Sequence, residues 1–99
     1  MVTPHTQHSL FFGNIKLFAG TSSPELAKGI ANYLGHPLCG RDIVEFPNEN
    51  LFVRLHESVR GQDCYVIQTT SSPVHRNLME LLILIQTLRL DSAGRITAV

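Results

Sequence analysis

DCYVIQTTSSPVHRNLMELLILIQTLRLDSAGRITAV, residues 63–99, alternates strand, helix and strand, and that alternation decides the fold. Residues 63–70 form an apolar run whose Tyr65-Val66-Ile67 centre suits burial on both faces, as in the interior of a sheet. Ser72 and Pro73 then open a long helix. Leu78, Leu81, Leu82, Ile85 and Leu88 or Arg89 recur at helical spacing. Met79, Ile83 and Leu84 add a second apolar face, so this helix is expected to be covered on more than one side. RITAV (95–99) begins another strand after Gly94. A long helix between two strands is a crossover, which requires those strands to lie parallel in one sheet.

Upstream, NIKLFAG (14–20) is a short apolar run ended by glycine and reads as a buried strand. TSSPELAKGIANYLG (21–35) follows as a helix, with Ser23 as a side-chain N-cap and Pro24 at the first helical position. Leu26, Ile30 and Leu34 with Ala27 and Ala31 mark its apolar face, and Gly35 suits a left-handed end. RDIVEF (41–46) and LFVRLHES (51–58) read as a β-hairpin around PNEN (47–50). In the second strand Leu51, Val53 and Leu55 alternate with Phe52, Arg54 and His56, the pattern of half burial. VRG (59–61) breaks the pattern.

These elements predict an α/β fold in three layers, a parallel-sheet core with flanking helices and a projecting β-hairpin. Ligands of such sheets bind beyond the carboxyl ends of the strands. The connection after Val99 would form that site, so a truncated part of a longer polypeptide is expected. Residues 1–13 are expected to be a flexible tail and 14–99 one incomplete amino-terminal domain.

With 99 residues, 43% of them hydrophobic, the chain has material for one domain with a real core. Eight Lys and Arg balance eight Asp and Glu, which leaves no electrostatic footprint for nucleic acid or an anionic membrane. The longest apolar run, Leu81 to Ile85, is far shorter than the ~20 residues that span a bilayer. MVTPHTQHSLFFGN lacks the basic start, apolar stretch and cleavage site of a secretory signal. Cys39 and Cys64 lie beside apolar residues without CxxC spacing, which predicts buried free thiols in a reducing cytosol. The five histidines lack ligand spacing and read as surface or loop residues. No paired carboxylate, Ser-His-Asp set or phosphate-cradling glycine loop is visible. Glu80, inside an apolar helix, is expected to be a helix-surface or capping-type partner.

From NIKLFAGTSSPELAKGIANYLGHPL (14–38) through EFPNENLFVRL to RITAV (45–99), the chain resembles the amino-terminal domain of ribose-phosphate pyrophosphokinase, the phosphoribosyl pyrophosphate synthetase. The most specific pieces are ESVRG (57–61) with DCYVIQ (63–68), and SPV (72–74) followed by NLMELLI (77–83). The resemblance implies a phosphoribosyltransferase-like fold. It implies transfer of the β,γ-diphosphoryl group of ATP to the anomeric hydroxyl of ribose 5-phosphate, giving phosphoribosyl pyrophosphate for nucleotide biosynthesis. Such transfer depends on positioning and on cations that neutralise the polyphosphate. Mg2+ is therefore implied, with its His and Asp ligands beyond the part matching Val99, and this fragment alone is expected to be inactive. A cytoplasmic homo-oligomer is implied, hexameric in the family, with no nucleic-acid or membrane partner. The alternative is a non-catalytic synthetase-associated homologue acting as a regulatory or binding subunit.

By the same resemblance the PNEN hairpin reaches toward the adenine of ATP, often in a neighbouring subunit. Phe46 and Asn48 match the family pattern: Phe46 could stack on the purine, and the Asn48 amide has donors and acceptors for a base edge. Asn50 stands where the family has Glu, which keeps an acceptor and loses the charge, and Glu49 falls one residue early. Pro47 replaces a small residue. On backbone chemistry alone PNEN is a polar turn. Ser58 and Arg60 match positions near a regulatory phosphate site, where a guanidinium beside a hydroxyl suits phosphate oxygens. A solvated loop arginine is the equal alternative.

Overall fold

A computed structural model describes residues 13–47 and 50–99; the 1–13 tail lies outside it except for Gly13. β4 (Asp63–Ile67), a long helix (Val74–Leu90) and β5 (Arg95–Ala98) form the expected crossover. β5 runs parallel to β4, with Cys64 opposite Ile96 and Tyr65 opposite Thr97. β1 (Ile15–Ala19) pairs with the other edge of β4, also parallel, with Leu17 opposite Tyr65 and Phe18 opposite Val66. The sheet order is therefore β1-β4-β5, and β4 is its central strand.

Alternation along these strands sends successive side chains to opposite faces. Phe18, Cys64 and Val66 share one face and pack with Leu84 and Leu88 of the long helix, Val59 and Val53. Ala19 and Ile67 face the other way, against Ala27 and the half-buried Ile30 of α1 (Pro24–Leu34). One helix thus covers each face, which gives the three layers. We denote the long helix α2. β2 (Arg41–Glu45) and β3 (Leu51–Leu55) form a separate antiparallel hairpin, Ile43 opposite Val53 and Glu45 opposite Leu51. Val53 fastens the hairpin to the core, while Phe52 and Arg54 point outward.

The helix faces match those expected only in part. Along α2 the buried residues are Asn77, Glu80, Leu84 and Leu88, whereas Leu78 and Leu82 are 42% and 53% exposed. The first half of α2 passes the loops at the strand ends, whose backbone groups need polar partners. Asn77 supplies one by donating its Nδ2 to the Ser71 carbonyl at 2.8 Å. α1 likewise buries Ala27 and Ala31 and leaves Leu26 and Leu34 about half exposed, because small residues allow close approach to the sheet. Gly35 ends α1 as expected, with φ of 71° and the His36 N–H donated to the Ala31 carbonyl at 3.1 Å. The Ser23 hydroxyl does not cap α1; it is hydrogen-bonded to the Thr69 hydroxyl at 2.8 Å. Val59, in the segment read as a pattern break, is fully buried.

Both cysteines are free; Cys64 is buried and Cys39 half-buried. Burial pushes each thiol up to about 11, so both stay protonated near neutrality. No helix among the described residues is long and apolar enough to cross a membrane.

The burial pattern of α2 makes a direct prediction for urea unfolding. Leu84→Ala should lower stability by about 2 to 5 kcal/mol, the cost of a cavity at a fully enclosed leucine. Leu82→Ala, at a half-exposed site, should stay within about 1 kcal/mol of the parent. Equal losses would refute this packing.

Candidate functional site

Beyond the carboxyl ends of β1 and β4 lie two loops, residues 20–23 and 68–73, held together by a polar network. Glu80 is its centre, a carboxylate with no exposed surface. Its Oε2 accepts the Thr21 backbone N–H at 2.5 Å and Gln68 Nε2 at 2.9 Å, and its Oε1 accepts the Thr21 hydroxyl at 2.7 Å. Arg76, one turn earlier on α2, adds its guanidinium to the same Oε1. Burial alone would raise the Glu80 pKa, but the bonds from Thr21 and Arg76 outweigh it and hold the carboxyl below its ordinary value.

Gln68 extends the network, its Oε1 accepting the Ser22 N–H at 3.1 Å and the Ser22 hydroxyl at 2.5 Å. The Ser22 Oγ in turn accepts the Thr69 N–H at 2.9 Å. Gly20 admits all of this, since a Cβ there would run into the Gln68 amide and stand 2.5 Å from Glu80 Oε2. Glu80 is therefore not a surface residue: it pairs with backbone of the β1–α1 loop, across 59 positions of sequence. The signal for it was present, a single carboxylate inside MELLILI, where an apolar environment demands partners.

The network reaches the hairpin through Arg76. Its Nε donates to Glu45 Oε1 at 3.0 Å, and Glu45 is the last residue of β2. Beside this pair opens a cleft of about 690 Å³ lined by Glu45, Leu51, Pro73, Val74, His75, Arg76 and Met79. Phe46 follows Glu45 at the hairpin tip; it is 48% exposed, and its N–H donates to the Asn50 carbonyl at 2.8 Å. Phe46 and Asn50 thus share one tip. Asn48, the other candidate there, lies outside the described residues.

Ser58 and Arg60 lie elsewhere, in the β3–β4 connection. Both are exposed, and the Arg60 N–H donates to Ser58 Oγ at 3.4 Å. Arg60 pairs with Ala93 in an isolated antiparallel bridge, so this site borders the α2–β5 turn. On the hairpin, His56 is exposed as expected and bonds through Nε2 to Asp42 at 2.9 Å, with Arg54 on the other Asp42 oxygen at 2.8 Å. The hydrogen bonds from His56 and Arg54 hold the Asp42 carboxyl below its ordinary value.

The Glu80 network predicts a pH dependence of defined sign. A carboxyl depressed in the folded state stabilises the fold above its unfolded value, and the contribution is lost as pH falls through the folded value. Stability should therefore fall on acidification below the ordinary value of 4.5. Glu80→Gln should cost about 1 to 3 kcal/mol at neutral pH, and the gap to the parent should narrow in acid. A gap constant with pH would show that the Glu80 charge contributes nothing.

Residues 15–99 match the family model described as the N-terminal domain of ribose phosphate pyrophosphokinase. A ribose-phosphate pyrophosphokinase of Clostridium tetani is 48% identical over all 99 residues, which make up 29% of that relative. One of Mycobacterium bovis is 51% identical over 86 residues, 87% of this chain and 26% of the relative. The crystal structure of phosphoribosylpyrophosphate synthetase from Mycobacterium smegmatis superposes with a TM-score of 0.84 at 45% identity, covering 86% of this chain and 28% of that one. The chain spans less than a third of the length of these relatives. The match over residues 15–99 and the shared fold place the chain in the ribose-phosphate pyrophosphokinase family, where it corresponds to the amino-terminal domain.

Proposed function

We propose that this chain is the amino-terminal part of a cytoplasmic, homo-oligomeric enzyme that transfers the diphosphoryl group of ATP to ribose 5-phosphate. The observation that carries this is the family match across the whole span 15–99, at about half identity to relatives bearing that name. In this reaction the hairpin tip binds the nucleotide. The half-exposed Phe46 ring stacks on the purine, and the Phe46 N–H donated to the Asn50 carbonyl ties the two sides of the tip together. Asn48 and Asn50 offer amides to the base edge. A tip that projects from its own domain suits the site of a neighbouring subunit.

Ser58 and Arg60 form a second, regulatory phosphate site, supported by an exposed guanidinium and hydroxyl in one short connection. Magnesium would neutralise the polyphosphate. Among the described residues no group of three His, Cys, Asp or Glu side chains could hold a metal ion. A second reading, a non-catalytic associated subunit, draws on Asn50 in place of the family's Glu.

A chimaera in which residues 15–99 replace the matching segment of the Mycobacterium smegmatis synthetase tests both readings. Turnover of the chimaera favours the enzyme, and its absence favours the associated subunit. Phe46→Ala should weaken ATP binding by about 1 to 3 kcal/mol, the scale of a lost base stack, and leave ribose 5-phosphate binding unchanged. Unchanged ATP affinity would remove Phe46 from the site.

A further inference from the structure

The Arg76 guanidinium joins three segments remote in sequence: Nε donates to Glu45 Oε1 at 3.0 Å, Nη1 donates to Thr21 Oγ1 at 3.1 Å, and Nη1 also pairs with Glu80. The three partners differ in kind. Glu80 is buried and held by Thr21 and Gln68 as well, and Thr21 belongs to the loop that follows β1. Glu45 is half exposed, sits at the end of β2 and precedes Phe46. Arg76 is thus anchored on its inner side and reaches outward to the hairpin. A planar guanidinium bonded on two of its nitrogens fixes a direction as well as a distance.

The hairpin needs such a device. It forms a two-stranded sheet of its own, and two strands alone do not set their inclination to a neighbouring layer. Its middle is held by Val53 in the core and its base by Arg41, whose Nε donates to the Ala19 carbonyl at 2.7 Å. Toward the tip, Arg76 and Glu45 are both on the wall of the 690 Å³ cleft.

We infer that Arg76 is a positioning residue, which aims the hairpin tip by coupling Glu45 to the buried Glu80 and so tunes the affinity for a purine nucleotide. The part concerning nucleotide rests on the Phe46 contact proposed above. The part concerning the hairpin stands on the geometry alone.

Two experiments separate the parts. In the 99-residue chain, amide exchange at Phe46 should quicken about two- to fivefold in Glu45→Gln and in Arg76→Gln, the scale of a partly exposed ion pair. The double variant should show no further gain, because either change breaks the same link. Parent protein in about 1 M sodium chloride, where screening acts over about 3 Å, should behave like the variants. Glu45→Gln leaves the Arg76–Glu80 pair intact, so its thermal midpoint should match the parent. Unaltered exchange in Glu45→Gln would overturn the inference.

In the chimaera, Glu45→Gln should raise the ATP KM about two- to fivefold with kcat and the ribose 5-phosphate KM unchanged. A raised ATP KM in Phe46→Ala without one in Glu45→Gln would refute the tuning of affinity by Arg76. No rise in either, with quickened exchange, would sink the nucleotide contact and leave the positioning of the hairpin standing.

Discussion

One buried carboxylate, Glu80, constrains the carboxyl-end side of this fold. A charge without exposed surface persists only where hydrogen bonds replace its water. Here the Thr21 N–H and hydroxyl, the Gln68 amide and the Arg76 guanidinium do so. Those donors come from the β1–α1 loop, the loop after β4 and α2 itself. Satisfying a single side chain therefore fixes how two loops and a helix meet. It also explains Gly20, where any side chain would occupy the space of the Gln68 amide.

The same constraint sets the packing of α2. Its buried stripe begins with Asn77 and Glu80 and becomes apolar only at Leu84 and Leu88. The polar half lies over the loops and the apolar half over the sheet and hairpin. Leu84 and Leu88 pack with Phe18, Val66 and Val53, so one helix face joins the parallel sheet to the antiparallel hairpin. On the opposite face α1 approaches through alanines, which brings its backbone close to β1 and leaves its leucines half exposed.

This arrangement separates two polar regions that are near each other in sequence. Phe46 and Asn50 are at the hairpin tip, whereas Ser58 and Arg60 are beyond β3, next to Ala93 at the start of β5. The hairpin rests on the core through β3 and leaves its far end exposed. A nucleotide at the tip and a phosphate at Arg60 would thus be served by different ends of the same short strand. Arg76 connects only the first of these to the buried network.

Much of the architecture was legible in the chain. The apolar runs at 14–20 and 63–70, the helices begun at Pro24 and Pro73 and the alternation in 51–55 mark strands, helices and hairpin without reference to contacts. The crossover made β4 and β5 parallel because a long helix returns the chain to the same end of the sheet. The family was legible too, as motifs in order. Which side of each helix faces the core was legible only in part: Ala27, Ala31 and Leu88 lie on the expected faces and are buried, while Leu26, Leu34, Leu78 and Leu82 are not. Leu78 and Leu82 fit the helical period as well as Leu84 does, and period alone cannot choose between two apolar stripes. The tertiary structure chose by the needs of the strand-end loops, whose Thr21 donors and Ser71 carbonyl required Glu80 and Asn77 to face inward. For the same reason the links from Thr21 to Glu80 and from Arg76 to Glu45 were invisible in sequence: they join residues 59 and 31 positions apart, and only the folded chain brings them within hydrogen-bond distance.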